Sequence, residues 1–571
     1  MDIQALKPAR PPHGPRREYL AAGSFLTLLT LLAHGKSLKG SWRWDDGAHL
    51  NFAAQYSAWQ YFFEPGIARA YSNANVAPWN LLFYDVNLSL FGMNAAGHYA
   101  HMLVVVAVGA LLFYAVLRQW LTPLPALTGA VALLFGKPTI HIAAGLMHGH
   151  YATGLAFTLL SILGWTRYLK GGRGYWLAVS ALSYLLATTC KEVYVPLVGL
   201  LPFLPAGTLR QRIRALLPFM LVAVVYTGWR YLLLGQLVGG YGQGSFDTPE
   251  ALRQLLRIPQ LLLGSKAAGL VVAVSFVGLL CAAIVKRRLN WPLTIVIFGI
   301  VVLPLLPLTA FPGINGPDRY LFVPWVALSA CLATILPRQA HPTPSATISV
   351  LIIAALIALH SQGRREIKAD LAYWDALYRF AVSADKARQA LFVGSDDGYK
   401  RLVLTGARNA ADILAPGSEA GVLQIVDDSG KDLLHVRFSG AQLFEFSNGQ
   451  VIPMPEKTLL EKFPQYSHPS ENVPLEIEMR LHSGVLHWKF GPHTSGSYYI
   501  KDHSSIRIPN TSVELTREGK VLWPEGTLFK LSFCYNDPKA GITACSPVLT
   551  FDLKTDEVAT WHGVGRFSTP Q

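Results

Sequence analysis

Charge is scarce in this chain. Only 15% of its 571 residues are Asp, Glu, Lys or Arg, and 51% are hydrophobic. A soluble protein carries about 25% charge, and here the apolar residues crowd into runs before about residue 360. That excludes a wholly soluble protein and indicates a polytopic membrane protein with a soluble C-terminal part. Cysteine is also sparse, at five residues. Cys190, Cys281 and Cys331 fall in or beside apolar runs and read as packing residues. Cys534 and Cys545 lie across an expected hairpin and can pair if that part is extracytoplasmic. No zinc-type cysteine spacing, P-loop, dinucleotide-type glycine motif, tandem repeat or low-complexity tract is present. The net charge is +14, but no basic stripe lies on a soluble face, which argues against nucleic acid.

The basic residues instead mark loops. Lys7, Arg10, Arg16 and Arg17 precede the first apolar run, Tyr19 to Ala33. No small-residue cleavage site follows and many more runs do, so this is a retained helix with a cytoplasmic N-terminus rather than a signal peptide. Further spans are expected near 98–117, 124–143, 150–168, 175–190, 194–206, 215–236, 260–284, 291–310, 319–336 and 346–360, about eleven in all. Arg118, then Arg167, Lys170 and Arg173, then Arg210, Arg212 and Arg214, then Lys286, Arg287 and Arg288 fall on the side of the N-terminus. The positive-inside rule then places the C-terminal domain outside. The expected organisation is a membrane domain over residues 1–361 with a long first external loop at 34–97. An amphipathic connector follows at 362–388, then an extracytoplasmic mixed and β-rich domain at 389–571.

Within that last part, Ala390 to Gly394 reads as a strand, 398–414 as a helix, and 421–427 and 432–438 as strands. Leu475, Ile477, Met479 and Leu481 alternate with Glu476, Glu478 and Arg480, and Phe529, Leu531, Phe533 and Tyr535 repeat the pattern. Short strands with turn residues between them predict a β-sandwich at about 474–560.

One stretch stands out for chemistry: Trp42-Arg43-Trp44-Asp45-Asp46-Gly47 in the first loop. Tryptophans suit a membrane–water boundary. Two adjacent acids in a partly dry place repel, which raises the pKa of one and suits it to act as a base. A solvated loop is the plainer alternative. On the external side the topology also gathers His148 and His150, Lys191-Glu192, and Asp318-Arg319-Tyr320. Ionisable groups at membrane depth mark sites or structural ion pairs. Lys191, Arg319 and His150 are cationic donors suited to a phosphate. Pairing of Lys191 with Glu192 or Asp318 is the structural alternative.

In order and wording these motifs resemble the polytopic C-type glycosyltransferases, especially the transmembrane O-mannosyltransferases with tetratricopeptide tails. The matching pieces are Trp44-Asp45-Asp46 with Asn51, Ala77-Pro78-Trp79-Asn80 through Gly92 and Asn94, Phe135 to His141 with His148 and His150, Lys191-Glu192, Asp318 to Pro324, and Trp374. The chain is similar more weakly to bacterial transferases of arabinose or aminoarabinose. It departs in reading Ala77-Pro78 for Arg-Pro, His150 for an arginine, and a β-rich domain for the tetratricopeptide tail. The resemblance implies inverting transfer of a sugar from a polyprenyl phosphate to an acceptor hydroxyl of a protein, glycan or lipid. Asp45 would be the base and Asp46 its orienter or a sugar ligand. Lys191 and Arg319, with His150, would bind the donor phosphate, supported by His148, Glu192, Asp318 and Tyr320. Some transferases of this fold need a divalent cation held by acids from two loops. The second loop here offers His148 and His150 and no carboxylate, so no cofactor or metal is expected. The Ala- and Leu-rich helices lean towards a bacterial inner membrane. A transporter or flippase for a polar lipid is the rival reading, although no inverted repeat is visible. An assembly protein whose membrane part has lost its activity is a third.

Overall fold

The computed structural model describes residues 15–72, 75–237, 257–258, 260–262, 319–335, 342–383, 390–393, 398–414, 423–426, 442–447, 450–463, 472–482, 485–503, 511–522, 528–537, 539–553 and 557–566. The expected spans at 260–284 and 291–310, the strand at 432–438, Cys281 and Asp318 lie wholly or largely outside them. The chain divides into two compact units. One holds Met1–Ser41 and Tyr56–Leu371, the other Trp42–Gln55 and Ala372–Gln571.

The first unit is helical. Its elements are α1 (Pro15–His34), α3 (Ala58–Phe63), α4 (Pro65–Tyr71), α5 (Pro78–Phe91), α6 (Ala95–Leu117), α7 (Pro123–Phe135), α8 (Lys137–Ala144), α9 (Gly149–Gly171), α10 (Gly174–Cys190), α11 (Leu197–Leu200), α12 (Leu209–Ala215), α13 (Leu217–Leu234), α14 (Phe322–Ile335) and most of α15 (Pro342–Ser383). Proline occupies the first turn of α4, α5, α7 and α8, where its missing N–H leaves no bond unmade. Among the described residues, three helices are long and apolar enough to cross a membrane: Ala95–Leu117, Leu209–Leu234 and Ala346–Val382.

The run read as one span at 124–143 is a pair, α7 and α8, bent by 58°. Gly136 is extended, with φ −70° and ψ 148°, so the chain leaves the helix there, and Pro138 has no N–H to offer Leu134; carbonyls at the end of α7 thus lose their helical donors. Side chains replace them. Trp325 Nε1–H donates to the Ala132 and Leu133 carbonyls at 3.0 and 3.2 Å. Thr139 donates to Leu133 O at 2.5 Å, and His34 Nε2–H to Leu134 O at 2.9 Å. The Trp325 indole lies so close to Gly136 that a Cβ there would sit 2.0 Å from its Nε1.

Two stretches differ from the sequence expectation. Residues 194–206 are apolar but form no single helix long enough to cross a bilayer. They are a 3-10 turn at Glu192–Tyr194, the one-turn α11 and another 3-10 turn at Leu201–Phe203, because Pro196, Pro202 and Pro205 interrupt any regular helix. The last apolar run and the amphipathic connector are also not separate elements. Both belong to α15, whose 42 residues make a rod of about 63 Å. The boundary between Leu371 and Ala372 falls inside that helix.

Among the described residues the second unit contains α2 (Asp46–Gln55), the end of α15, α16 (Gly398–Leu414), α17 (Glu456–Lys462) and thirteen strands. Strands β1 (Ala390–Val393) and β2 (Leu423–Val426) run parallel, with α16 between them in sequence. With β3 (Gln442–Ser447) and β4 (Gln450–Pro453) they form a sheet in the order β2-β1-β3-β4. The remaining strands are β5 (Val473–His482), β6 (Val485–Gly491), β7 (Ser497–Asp502), β8 (Thr511–Leu515), β9 (Glu518–Leu522), β10 (Leu528–Asp537), β11 (Ile542–Cys545), β12 (Leu549–Asp552) and β13 (Val558–Gly565). They form two sheets, β13-β5-β6-β9 and β11-β10-β7-β8, with β12 on β10.

In β5 every second residue is buried, as its alternating pattern requires. Leu475, Ile477, Met479 and Leu481 share a core with Leu531, Phe533 and Tyr535 of β10. The other face of β10 carries Cys534, which is disulfide-bonded to its cross-strand partner Cys545. Both cysteines pack with Leu391, Val393 and Leu443 of the mixed sheet.

Candidate active site

The acidic pair sits where the chain turns into α2. Asp46 is the first helical residue, and the Asp45 carbonyl accepts the His49 N–H at 3.2 Å. Carboxylates are favoured here because they meet the unpaired N–H groups and positive end of the helix. The two acids then differ. Asp46 is fully buried, and its Oδ2 accepts the Arg43 N–H at 2.7 Å while its own N–H donates to the Arg43 carbonyl at 3.0 Å. That reciprocal pair closes the turn. Asp45 is half-buried, and among the described residues its carboxylate has no hydrogen-bond or ion-pair partner. Trp42 is only 2% exposed, so it is a packing residue of this unit and not a boundary tryptophan.

The turn is held from α15. Arg43 forks onto Asp375, Nε to Oδ1 at 2.8 Å and Nη2 to Oδ2 at 3.0 Å. The Tyr378 hydroxyl donates to the Trp44 carbonyl at 2.6 Å and accepts the Gly47 N–H at 2.9 Å.

The cationic residues belong to the helical unit. Lys191 ends α10, and its ammonium is largely buried. Its carboxylate partner, Glu192 Oε2, is 3.6 Å away, longer than a hydrogen bond. Glu192 is engaged elsewhere: its Oε1 accepts the Val76 N–H at 2.8 Å and Arg230 Nη1 at 2.5 Å. Burial lowers the Lys191 pKa. Glu192 opposes that fall, while Arg319 and Arg230 add to it by repulsion. Burial alone would raise the Glu192 pKa, but Lys191 and Arg230 more than offset it and hold the carboxyl below its usual range. Lys191 is thus attracted by the Glu192 carboxylate and repelled by Arg319 and Arg230.

Arg319 Nη1 lies 3.5 Å from His148 Nε2. His148 Nδ1 is 2.9 Å from the His141 carbonyl, which can only accept, so Nδ1 carries the proton and Nε2 presents a lone pair to the guanidinium. Arg319 also reaches the Tyr320 hydroxyl at 3.4 Å and lies over that ring. Tyr320 meets Tyr151 edge-on, and Tyr151 in turn packs against the buried His150. His148 is therefore oriented to hold Arg319, and His150 stands behind the aromatic pair. Among the described residues no group of three or more His, Cys, Asp or Glu is placed to hold a metal ion.

Arg230 was not singled out from the sequence. The signal was available: it is a lone arginine inside the apolar run of α13, and such a charge needs a partner. Asp375 and Tyr378 carry no such local signal, because each meets residues more than 330 positions away.

No family model matches the chain, and no curated protein matches it. Among solved structures it is similar to the crystal structure of ArnT from Cupriavidus metallidurans bound to undecaprenyl phosphate. The TM-score is 0.40 at 15% identity, over 69% of this chain and 75% of that one. It is also similar to ArnT from the same organism in the apo state, with a TM-score of 0.43 at 13% identity over 79% of this chain and 95% of that one. At these scores the likeness is a partial superposition, and the chemistry rests on this chain's own residues.

Proposed function

We propose that the protein is an inverting glycosyltransferase of the membrane that takes a sugar from a polyprenyl phosphate and gives it to an acceptor hydroxyl outside the cytoplasm. The observation that carries this reading is the buried Lys191 ammonium, repelled by Arg230 and Arg319 and 3.6 Å from the Glu192 carboxylate. A buried ammonium so placed is costly unless an anion completes its shell. Lys191 in particular has its ammonium 3.6 Å from its carboxylate partner, with donors to spare. A phosphate oxygen would fill them. The same charges would stabilise the phosphate as it leaves the anomeric carbon.

Asp45 is the better candidate for the base, because Asp46 is committed to closing the turn. Asp45 would take the proton of the attacking hydroxyl, a contribution of about 10²–10⁴-fold. The proton passes to the carboxylate, the electron pair of the glycosidic bond leaves with the phosphate, and attack opposite the leaving group inverts the anomeric carbon.

The test uses purified protein and labelled polyprenyl-phosphate mannose and polyprenyl-phosphate aminoarabinose. Consumption of one of them is expected, with Lys191→Ala and Arg319→Ala raising the donor KM at least tenfold, a loss of about 1.4 kcal/mol in binding. Wild-type donor KM in both variants would remove these residues from phosphate binding. Movement of the lipid across the bilayer without sugar transfer would establish the transporter reading instead.

A further inference from the structure

We infer that Tyr378 is a positioning residue for the Asp45 turn, and that α16 of the C-terminal unit clamps the same turn. This rests on the reading of Asp45 as the base. The chain enters the turn in an unusual backbone state. Trp44 has φ +46°, in the left-handed region that L side chains rarely adopt. Something must hold it there. The fully buried Tyr378 hydroxyl is placed to do so, since it is hydrogen-bonded to the Trp44 carbonyl and the Gly47 N–H, on either side of the two acids. One helical turn earlier, Asp375 fixes the side chain of Arg43, whose backbone closes onto Asp46. One face of α15 therefore grips the turn at Arg43, Trp44 and Gly47.

Beyond the turn, α2 crosses α16 at backbone contact. A Cβ on Gly47 would lie 1.7 Å from the Val403 carbonyl oxygen, and one on Gly406 would lie 2.6 Å from the Gly47 carbonyl oxygen. Each glycine is required by the other helix, so α2 cannot shift while α16 stays in place. The Asp45 carboxylate is left as the uncommitted acid on a fixed frame. In this account the soluble domain is part of the catalytic framework, not only a surface for the acceptor.

The experiment has two arms on the full-length protein. In the first, hydrogen exchange is followed at residues 42–50. Tyr378→Phe removes the acceptor of the Gly47 N–H, and that amide should exchange at least tenfold faster, with β5 and β10 unchanged. In the second, kcat and donor KM are measured with whichever of polyprenyl-phosphate mannose and polyprenyl-phosphate aminoarabinose the wild type consumes. Misplacement of a reacting group by about 1 Å can cost about a hundredfold. Tyr378→Phe should therefore lower kcat tenfold or more and leave donor KM within twofold. A simple loss of folded enzyme would lower kcat by the same factor whether or not Asp45 is present. In an Asp45→Asn background, Tyr378→Phe should add little further loss.

Unchanged exchange at Gly47 would overturn the inference. So would normal kcat in Tyr378→Phe beside an impaired Asp45→Asn, and so would an equal loss from Tyr378→Phe in both backgrounds. Wild-type turnover in Asp45→Asn is a separate failure. It removes the base, and the positioning role with it, whatever the exchange shows.

Discussion

The two acids of the first loop should separate cleanly into one that holds structure and one that does not. Asp46→Ala deletes the acceptor of a buried backbone N–H, that of Arg43, which sits 2.7 Å from Asp46 Oδ2. Leaving a buried donor unsatisfied costs about 1–3 kcal/mol. The lost carboxylate at the first turn of α2 adds about 0.3–1 kcal/mol. The sum is about 1.3–4 kcal/mol, and about 2–4 °C is expected for each kcal/mol in a unit of this size. Asp45→Ala removes a half-buried carboxylate without a partner among the described residues, so its stability change should stay within about 1 kcal/mol. Thermal unfolding in detergent, followed by near-ultraviolet circular dichroism, reads both. Hydrogen exchange at residues 42–50 confirms which region loosens. Equal destabilisation by the two variants, or a larger loss from Asp45→Ala, would refute the assignment of Asp46 to the turn.

Two further outcomes follow from the charges and the packing. Burial, with repulsion from Arg319 and Arg230, lowers the Lys191 pKa, so the ammonium should lose its proton at a pH below the ordinary lysine value and donor KM should rise as pH increases through that point. Lys191→Arg, which stays charged, should abolish the rise; a flat KM in the wild type, or a rise that survives in Lys191→Arg, would contradict the role. Gly136→Ala puts a Cβ 2.0 Å from Trp325 Nε1 and should destabilise the α7–α8 bend by about 1–3 kcal/mol in thermal unfolding. The loss should be smaller in a Trp325→Phe background, and an equal loss in both would mean that the indole does not set the bend.

Local patterns were legible in the sequence, and contacts between distant segments were not. The alternation of Leu475 to Leu481 marks β5 because one face of that strand is core. The helix expected at 398–414 is α16, bounded by Gly398 and Leu414. Cys534 and Cys545 face each other in register on β10 and β11. At 194–206 the apolar composition is legible, and three prolines divide it into short turns. Nothing local announced that Trp42–Gln55 packs with the C-terminal unit. Its membership depends on Gly47 meeting Gly406 and on Arg43 meeting Asp375, pairs that the chain brings together only on folding. At the site, the residue types were readable and their division of labour was not. Asp45 and Asp46 are adjacent in sequence, yet only the backbone turn decides which of them is used up in hydrogen bonding. Glu192 looked like a simple partner for Lys191, and Arg230 changes that by taking its other oxygen.

The most direct test of the account is a single-turnover measurement on Asp45→Asn with the carrier-linked sugar saturating. The substitution keeps size and polarity and removes the ability to take a proton. The chemical step should slow by about a hundredfold or more, the lower range for a general base, with the donor still bound at wild-type affinity. A chemical step at the wild-type rate would contradict it.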